Sequence, residues 1–139
     1  MYISETTTRV RYAETDQMGI VYYGNYAQYF EIGRVESIRQ LGYSYKQMEE
    51  DGVMLPVVEA HIKYLRSALY DDLLTIRTTL QELPADHVIT FHSEVLNEKG
   101  KLLTTGIVTL YFLDIKTKKK TGIPEKMKEQ LAPFFESDK

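Results

Sequence analysis

Residues 25–42 read NYAQYFEIGRVESIRQLG, and the fold follows from how this stretch has to be buried. Apolar or small side chains recur at Tyr26, Tyr29, Phe30, Gly33, Ile38 and Leu41, spacings that place a stripe on one side of an α-helix. Glu31, Arg34, Glu36 and Arg39 are expected to decorate its other faces. Asn25 stands where an N-cap side chain accepts a backbone N–H of the first turn, and Gly42 supplies the left-handed residue at which helices end. Each apolar side chain moved from water into a core contributes about 1.5–3 kcal/mol. A stripe this broad therefore predicts a helix enclosed by a curved sheet.

The rest of the chain supplies that sheet. TTTRVRY, over 6–12, alternates in character and is rich in β-branched and aromatic residues, as a strand with one buried face is. Four further runs, 55–65, 73–83, 87–96 and 102–114, carry the same composition. Their connections at 67–72, 84–86 and 97–100 are short enough for antiparallel hairpins. A second, more polar helix is expected over 44–50, a basic turn at 116–120, and a terminal helix opened by Pro124 and reaching about 135. One strand, a long helix and then a run of strands make an α+β fold. The 139 residues suit one domain over the whole chain, 1–139.

Composition removes several classes of function. The chain has no cysteine, which excludes a disulfide framework, a thiolate nucleophile and zinc sites that need sulfur. Its net charge is -3 with both signs interspersed, so the basic footprint of a nucleic-acid binder is missing. No targeting segment or membrane span is recognisable, and the expectation is a cytoplasmic protein with neither nucleic-acid nor membrane partners. His61, His87 and His92 lack the spacing of a metal site. The eleven tyrosines are assigned to core and interface packing.

Chemistry points to AETDQMGIVYYG, residues 13–24, where a carboxylate, a glycine and a tight apolar turn lead directly into the helix. Helix starts present unpaired N–H groups and partial positive charge. A reaction that builds negative charge on a carbonyl oxygen can use those donors, with Asp16 approaching the same carbonyl carbon from another side. The same residues would equally serve to stabilise a turn, since Asp is common in loops.

The run Asp16-Gln17-Met18-Gly19-Ile20-Val21-Tyr22-Tyr23-Gly24-Asn25-Tyr26 resembles the signature of the 4-hydroxybenzoyl-CoA thioesterase family of hotdog proteins. PVVEAHIKYLRSALYDDLLTI, over 56–76, is similar to the family's second strand, turn and third strand, and the likeness extends to about residue 114. The resemblance implies a hotdog fold, an antiparallel sheet wrapped around the long helix. It also implies homodimers joined edge to edge, often paired into homotetramers, with active sites shared between subunits. The implied activity is hydrolysis of an acyl-CoA substrate to a carboxylic acid and coenzyme A. Asp16 falls on the catalytic carboxylate, as nucleophile or general base, and Tyr23 on the residue whose backbone N–H polarises the carbonyl. Gly19 matches the glycine that lets the backbone approach the substrate. Neither route calls for a metal or redox cofactor.

Some relatives carry a histidine where this chain has Tyr23. The prototype also holds the coenzyme A phosphates with basic residues in the turn that here reads Leu83-Pro84-Ala85-Asp86. Lys63, Arg66, Lys99 and Lys116 to Lys120 are the substitutes on charge grounds. Glu59 and His61 share a strand face and are candidates for a site across a dimer interface. With Gly19, Asn25 and Arg66 they make up the expected substrate-binding set. The alternative is a non-catalytic acyl-CoA or acyl-carrier binding protein of the same fold. A hotdog dehydratase ranks last, because 25–41 contains no histidine.

Overall fold

The computed structural model describes residues 1–136, so the last three positions of the expected unit lie outside the described residues. β1 (Tyr2–Arg9) starts earlier than expected because Tyr2 and Ser4 already point inward in alternation. It also stops earlier, since Tyr12–Glu14 wind into a 3-10 turn. A second such turn at Tyr23–Asn25 feeds α1 (Tyr26–Gln40), which ends where Gly42 takes φ +89°. Ser44 caps α2 (Tyr45–Glu50), its Oγ accepting the Gln47 N–H at 3.1 Å. There follow β2 (Val53–Met54), β3 (Val57–Tyr64), β4 (Leu73–Leu80), β5 (Val88–Leu96), β6 (Leu102–Tyr111) and β7 (Leu113–Asp114). The expected terminal helix is two pieces, α3 (Glu125–Leu131) and α4 (Pro133–Glu136), since Pro133 has no N–H to bond back to the preceding turn.

Five strands form one sheet in the order β1-β4-β5-β6-β3, with β2 and β7 paired separately. All the pairings are antiparallel, and β4–β5 and β5–β6 are the expected hairpins. The connection at 67–72 is not a hairpin: β3 pairs with β6 and β4 with β1, so two strands separate the ends it joins. The crossing segment is tied down at both ends. The Leu65 and Arg66 N–H groups donate to the Leu103 carbonyl at 2.9 and 3.0 Å, and Val10 N–H donates to the Asp72 carbonyl at 2.9 Å.

α1 packs across β1, β4 and β5, burying Tyr26, Tyr29, Phe30, Gly33 and Ile38. Gly33 makes the close approach possible, because a Cβ there would sit 2.5 Å from Thr78 Oγ1 and 2.6 Å from Ile76 Cγ2. Arg34 corrects the expected polar faces: it is buried. It lies four residues from both Phe30 and Ile38, so it shares their row on the helix. β4 and β5 alternate between buried and half-buried positions along their length, as strands with one covered face do. A sheet wrapped around one long helix is the hotdog arrangement. β3 differs, being exposed at seven of its eight positions, and it forms one edge of the sheet.

Candidate active site

The loop between β1 and α1 is closed on itself before it reaches the helix. Asp16 N–H donates to the Ile20 carbonyl at 2.9 Å and Gly19 N–H to the Asp16 carbonyl at 3.0 Å, while Thr15 bridges Val21. Gly19 holds φ +80°, a left-handed conformation that only glycine adopts freely. It is exposed and a Cβ would meet nothing within 4 Å, so the turn itself accounts for the glycine. The Asp16 side chain is half-buried, and its Oδ1 accepts the Met18 N–H at 2.8 Å. That bond holds the carboxylate in one orientation.

Asp16 opens onto a cleft of about 230 Å³ lined by Ile20, Tyr23, Tyr26, Tyr64, Leu65 and Arg66, among others. The opposite wall is the crossing segment, which is joined to the loop as well as to the sheet. Val21 N–H donates to the Ala68 carbonyl at 2.9 Å, and Ala68 N–H donates to the Tyr26 hydroxyl at 3.1 Å. Three rings make the floor and side, with Tyr64 edge-on to Tyr23 at 6.1 Å and to Tyr26 at 5.6 Å between centroids. At the mouth the turn Tyr23–Asn25 begins, its first bond running from Asn25 N–H to the Tyr22 carbonyl at 2.9 Å. The N–H groups of Tyr23 and Gly24 precede that bond and have no acceptor among the described residues. They are the unpaired donors expected at a helix start.

Asn25 does not cap α1. It is already helical, at φ −78° and ψ −13°, and its Nδ2 donates to the Glu14 carbonyl at 2.8 Å. The 3-10 turn ahead of α1 has moved the helical start three residues toward the N-terminus, from 26 to 23, so an N-cap acceptor at 25 has no orphan donor to meet. Asp16, Tyr23 and Arg66 are thus brought together in one cleft. Glu59 and His61 are elsewhere, paired at 2.8 Å on the exposed edge strand β3.

Beside the cleft, and sharing Arg66 and Ser67 with it, lies an open hollow that also contains Asp72, Glu98, Lys99 and Lys101. Its two carboxylates are engaged by the backbone: Asp72 Oδ2 accepts from Leu69 N–H at 2.9 Å and Glu98 Oε1 from Leu73 N–H at 3.0 Å. Lys63 and Lys116 to Lys120 line neither hollow. The turn at 83–86 borders two separate depressions, one without a lysine or arginine and one that contains Lys128.

Sequence reasoning missed three participants. Tyr64 ends the edge strand and Leu65 follows it, where exposed apolar residues give no sign of what they face. Glu14 is buried with an engaged carboxylate, and its signal was the three-residue spacing from Arg11. Arg11 N–H donates to Glu14 Oε1 at 3.0 Å in the manner of a capping box.

A family model described as the thioesterase-like superfamily matches residues 10–131. Among its relatives, a putative acyl-CoA thioesterase, YneP, of Bacillus subtilis (strain 168) is 43% identical over 102 residues, which is 73% of this chain and 73% of the relative. Among solved structures, a DHNA-CoA thioesterase from Staphylococcus aureus has a TM-score of 0.88 at 32% identity, covering 100% of this chain and 97% of that one. A hypothetical protein, TT1821, from Thermus thermophilus has a TM-score of 0.86 at 35% identity, covering 94% and 98%.

Proposed function

The chain belongs to the thioesterase-like superfamily, and from that premise we propose that it hydrolyses acyl-CoA thioesters with Asp16 as the reacting carboxylate. The observation that carries this reading is the shared cleft: Asp16 lines one side and Tyr23, with its unpaired N–H, stands at the helix opening. A thioester carbonyl set between them meets an oriented carboxylate at its carbon and two backbone donors at its oxygen. Asp16 adds to the carbon to give a mixed anhydride that water then cleaves, or it takes the proton of a water that adds in its place. In both routes the tetrahedral oxyanion collapses by breaking the C–S bond. The coenzyme A thiolate leaves and takes up a proton, and the acid is released.

Arg66 bridges this cleft and the hollow carrying Lys99 and Lys101. We assign the coenzyme A phosphates to that hollow, since its carboxylates are already occupied and its cations face outward. The edge strand β3, with Val57, Val58 and Tyr64 about half-exposed, is where a second copy pairs. Its unpaired backbone groups are what an edge-to-edge dimer satisfies. Glu59 and His61 then lie at that interface. No helix among the described residues is long and apolar enough to cross a membrane, and the cytoplasm is the compartment we assign.

The test follows thiol release from a panel of acyl-CoAs by the native chain and by Asp16→Asn, which keeps the shape and the Met18 bond but removes the charge. Turnover by the native chain and a loss of about 10²–10⁴-fold in the variant is expected. Equal rates would remove Asp16 from the mechanism, and binding without turnover by the native chain would make the protein an acyl-CoA binder.

A further inference from the structure

Glu14 has no part in the chemistry above, yet it is the one buried carboxylate among the described residues, with 7% of its surface exposed. Its Oε1 accepts from Arg11 N–H at 3.0 Å and from the Tyr29 hydroxyl at 2.8 Å. Its Oε2 accepts from Arg11 Nε at 3.0 Å, with Nη2 of the same guanidinium in ion-pair contact at 2.9 Å. The backbone carbonyl of the same residue takes two more bonds, from Tyr22 N–H at 3.0 Å and from Asn25 Nδ2 at 2.8 Å.

The last two donors flank Tyr23 and Gly24, so the pair with unpaired N–H groups hangs between two bonds to a single carbonyl. The residue that owns this carbonyl is pinned to α1 through Tyr29, and Asp16 follows it by two positions. We propose that Glu14 is a positioning residue, fixing the separation between the Asp16 carboxylate and the Tyr23 N–H. This inference rests on the thioesterase reading and adds to it a residue that touches no substrate.

A carboxylate suits the task because a buried charge is costly unless every lone pair finds a donor. Two of the carboxylate's three hydrogen-bond donors belong to Arg11 in the same turn and the third, the Tyr29 hydroxyl, belongs to α1, so a loop that parts from the helix leaves the charge short of a donor. Burial by itself opposes ionisation, but the bonds from the Arg11 N–H, the Tyr29 hydroxyl and the Arg11 guanidinium outweigh it and hold the carboxyl below its ordinary range. Glu14 is therefore ionised at neutral pH.

Steady-state thioester hydrolysis by the full chain tests this, comparing the native protein with Glu14→Ala, Glu14→Gln and Asn25→Ala, each checked for folding by circular dichroism. Misplacing reacting groups by about 1 Å costs on the order of 10²-fold, so Glu14→Ala should lower kcat by about 10- to 100-fold. KM should stay within about twofold, the mark of an interaction expressed in the transition state. In Glu14→Gln the amide oxygen still accepts from Arg11 N–H and Tyr29, and kcat should recover to within about fivefold of native. If Glu14→Ala does not fold, Asn25→Ala carries the test, because it removes one flanking bond and should lower kcat by about tenfold at constant KM. Native kcat in a folded Glu14→Ala or Asn25→Ala protein, losses confined to KM, or a glutamine variant no better than alanine would each overturn the proposal. A native chain that turns over no acyl-CoA would sink the thioesterase reading and this one with it. Turnover unaltered by the substitutions would sink this one alone.

Discussion

Replacing Gly33 with alanine tests whether the approach of α1 to the sheet is as tight as the structure makes it. The new Cβ would lie 2.5 Å from Thr78 Oγ1 and 2.6 Å from Ile76 Cγ2. Carbon atoms sit comfortably at about 3.5–4.0 Å, so the helix and β4 must part by roughly 1 Å. Ile76 is 0% and Thr78 1% exposed, and neither side chain has space to turn into. Overpacking costs about 1–3 kcal/mol, and with neither neighbour able to yield the upper part of that range applies here, about 2–3 kcal/mol. Against it stands the helix propensity of alanine over glycine, about 1 kcal/mol in the opposite direction. The balance is a net loss of about 1–2 kcal/mol, which for a urea slope of about 2 kcal/mol/M lowers the midpoint by about 0.5–1 M. Equilibrium urea unfolding at one fixed protein concentration, followed by circular dichroism, reads this directly. A midpoint unchanged or raised, with the slope intact, would mean that the helix stands further from β4 than these distances imply.

Two further outcomes follow from the site. The Glu14 carboxyl is held below its ordinary range in the folded chain, and its unfolded value is about 4.3. Its contribution to stability is therefore complete above about pH 4.3 and is lost as pH falls through the lower folded value. Acid unfolding followed by circular dichroism should be steeper for the native chain than for Glu14→Gln below about pH 4.3, and parallel curves would contradict the pairing of this carboxylate. Arg66→Ala should raise KM for acyl-CoA by about 5- to 30-fold at low salt, with kcat nearly unchanged. The gap should shrink in high salt, and an unaltered KM for coenzyme A esters would free Arg66 from phosphate binding.

Much of the architecture was readable because pattern and punctuation agreed. The stripe from Tyr26 to Leu41 had one helical reading, and Gly42 closed it. The runs 73–83 and 87–96, rich in β-branched and aromatic residues between turn signals, read as strands and contain β4 and β5. What failed depended on partners that periodicity does not contain. Arg34 lies on the same row as Phe30 and Ile38, and residue type alone suggested a solvent face. Asn25 looked like a cap because a 3-10 turn ahead of a helix has no signature of its own. The 67–72 connection had the length of a hairpin, but length does not say that β6 and β1 hold its ends. At the site, Asp16 and Tyr23 were singled out by a resemblance, since a loop aspartate is otherwise unremarkable. Glu14, two residues away, carried no signal of comparable strength, because its importance lies in who donates to it.

The cleft has two walls of different origin. One is the loop that carries Asp16 and Tyr23, bonded on both sides of Tyr23 and Gly24 to the Glu14 carbonyl. The other is the crossing segment with Tyr64 and Leu65, anchored to the neighbouring strand by two bonds at Leu103. On the proposed reading the reacting groups lie on the first wall, while the second contributes only to the fit. On that reading, a bulkier or smaller side chain at 65 would redraw the space offered to the acyl group, whereas one at 64 would also alter the ring contacts with Tyr23 and Tyr26, which makes 65 the natural handle for retuning which thioester is accepted.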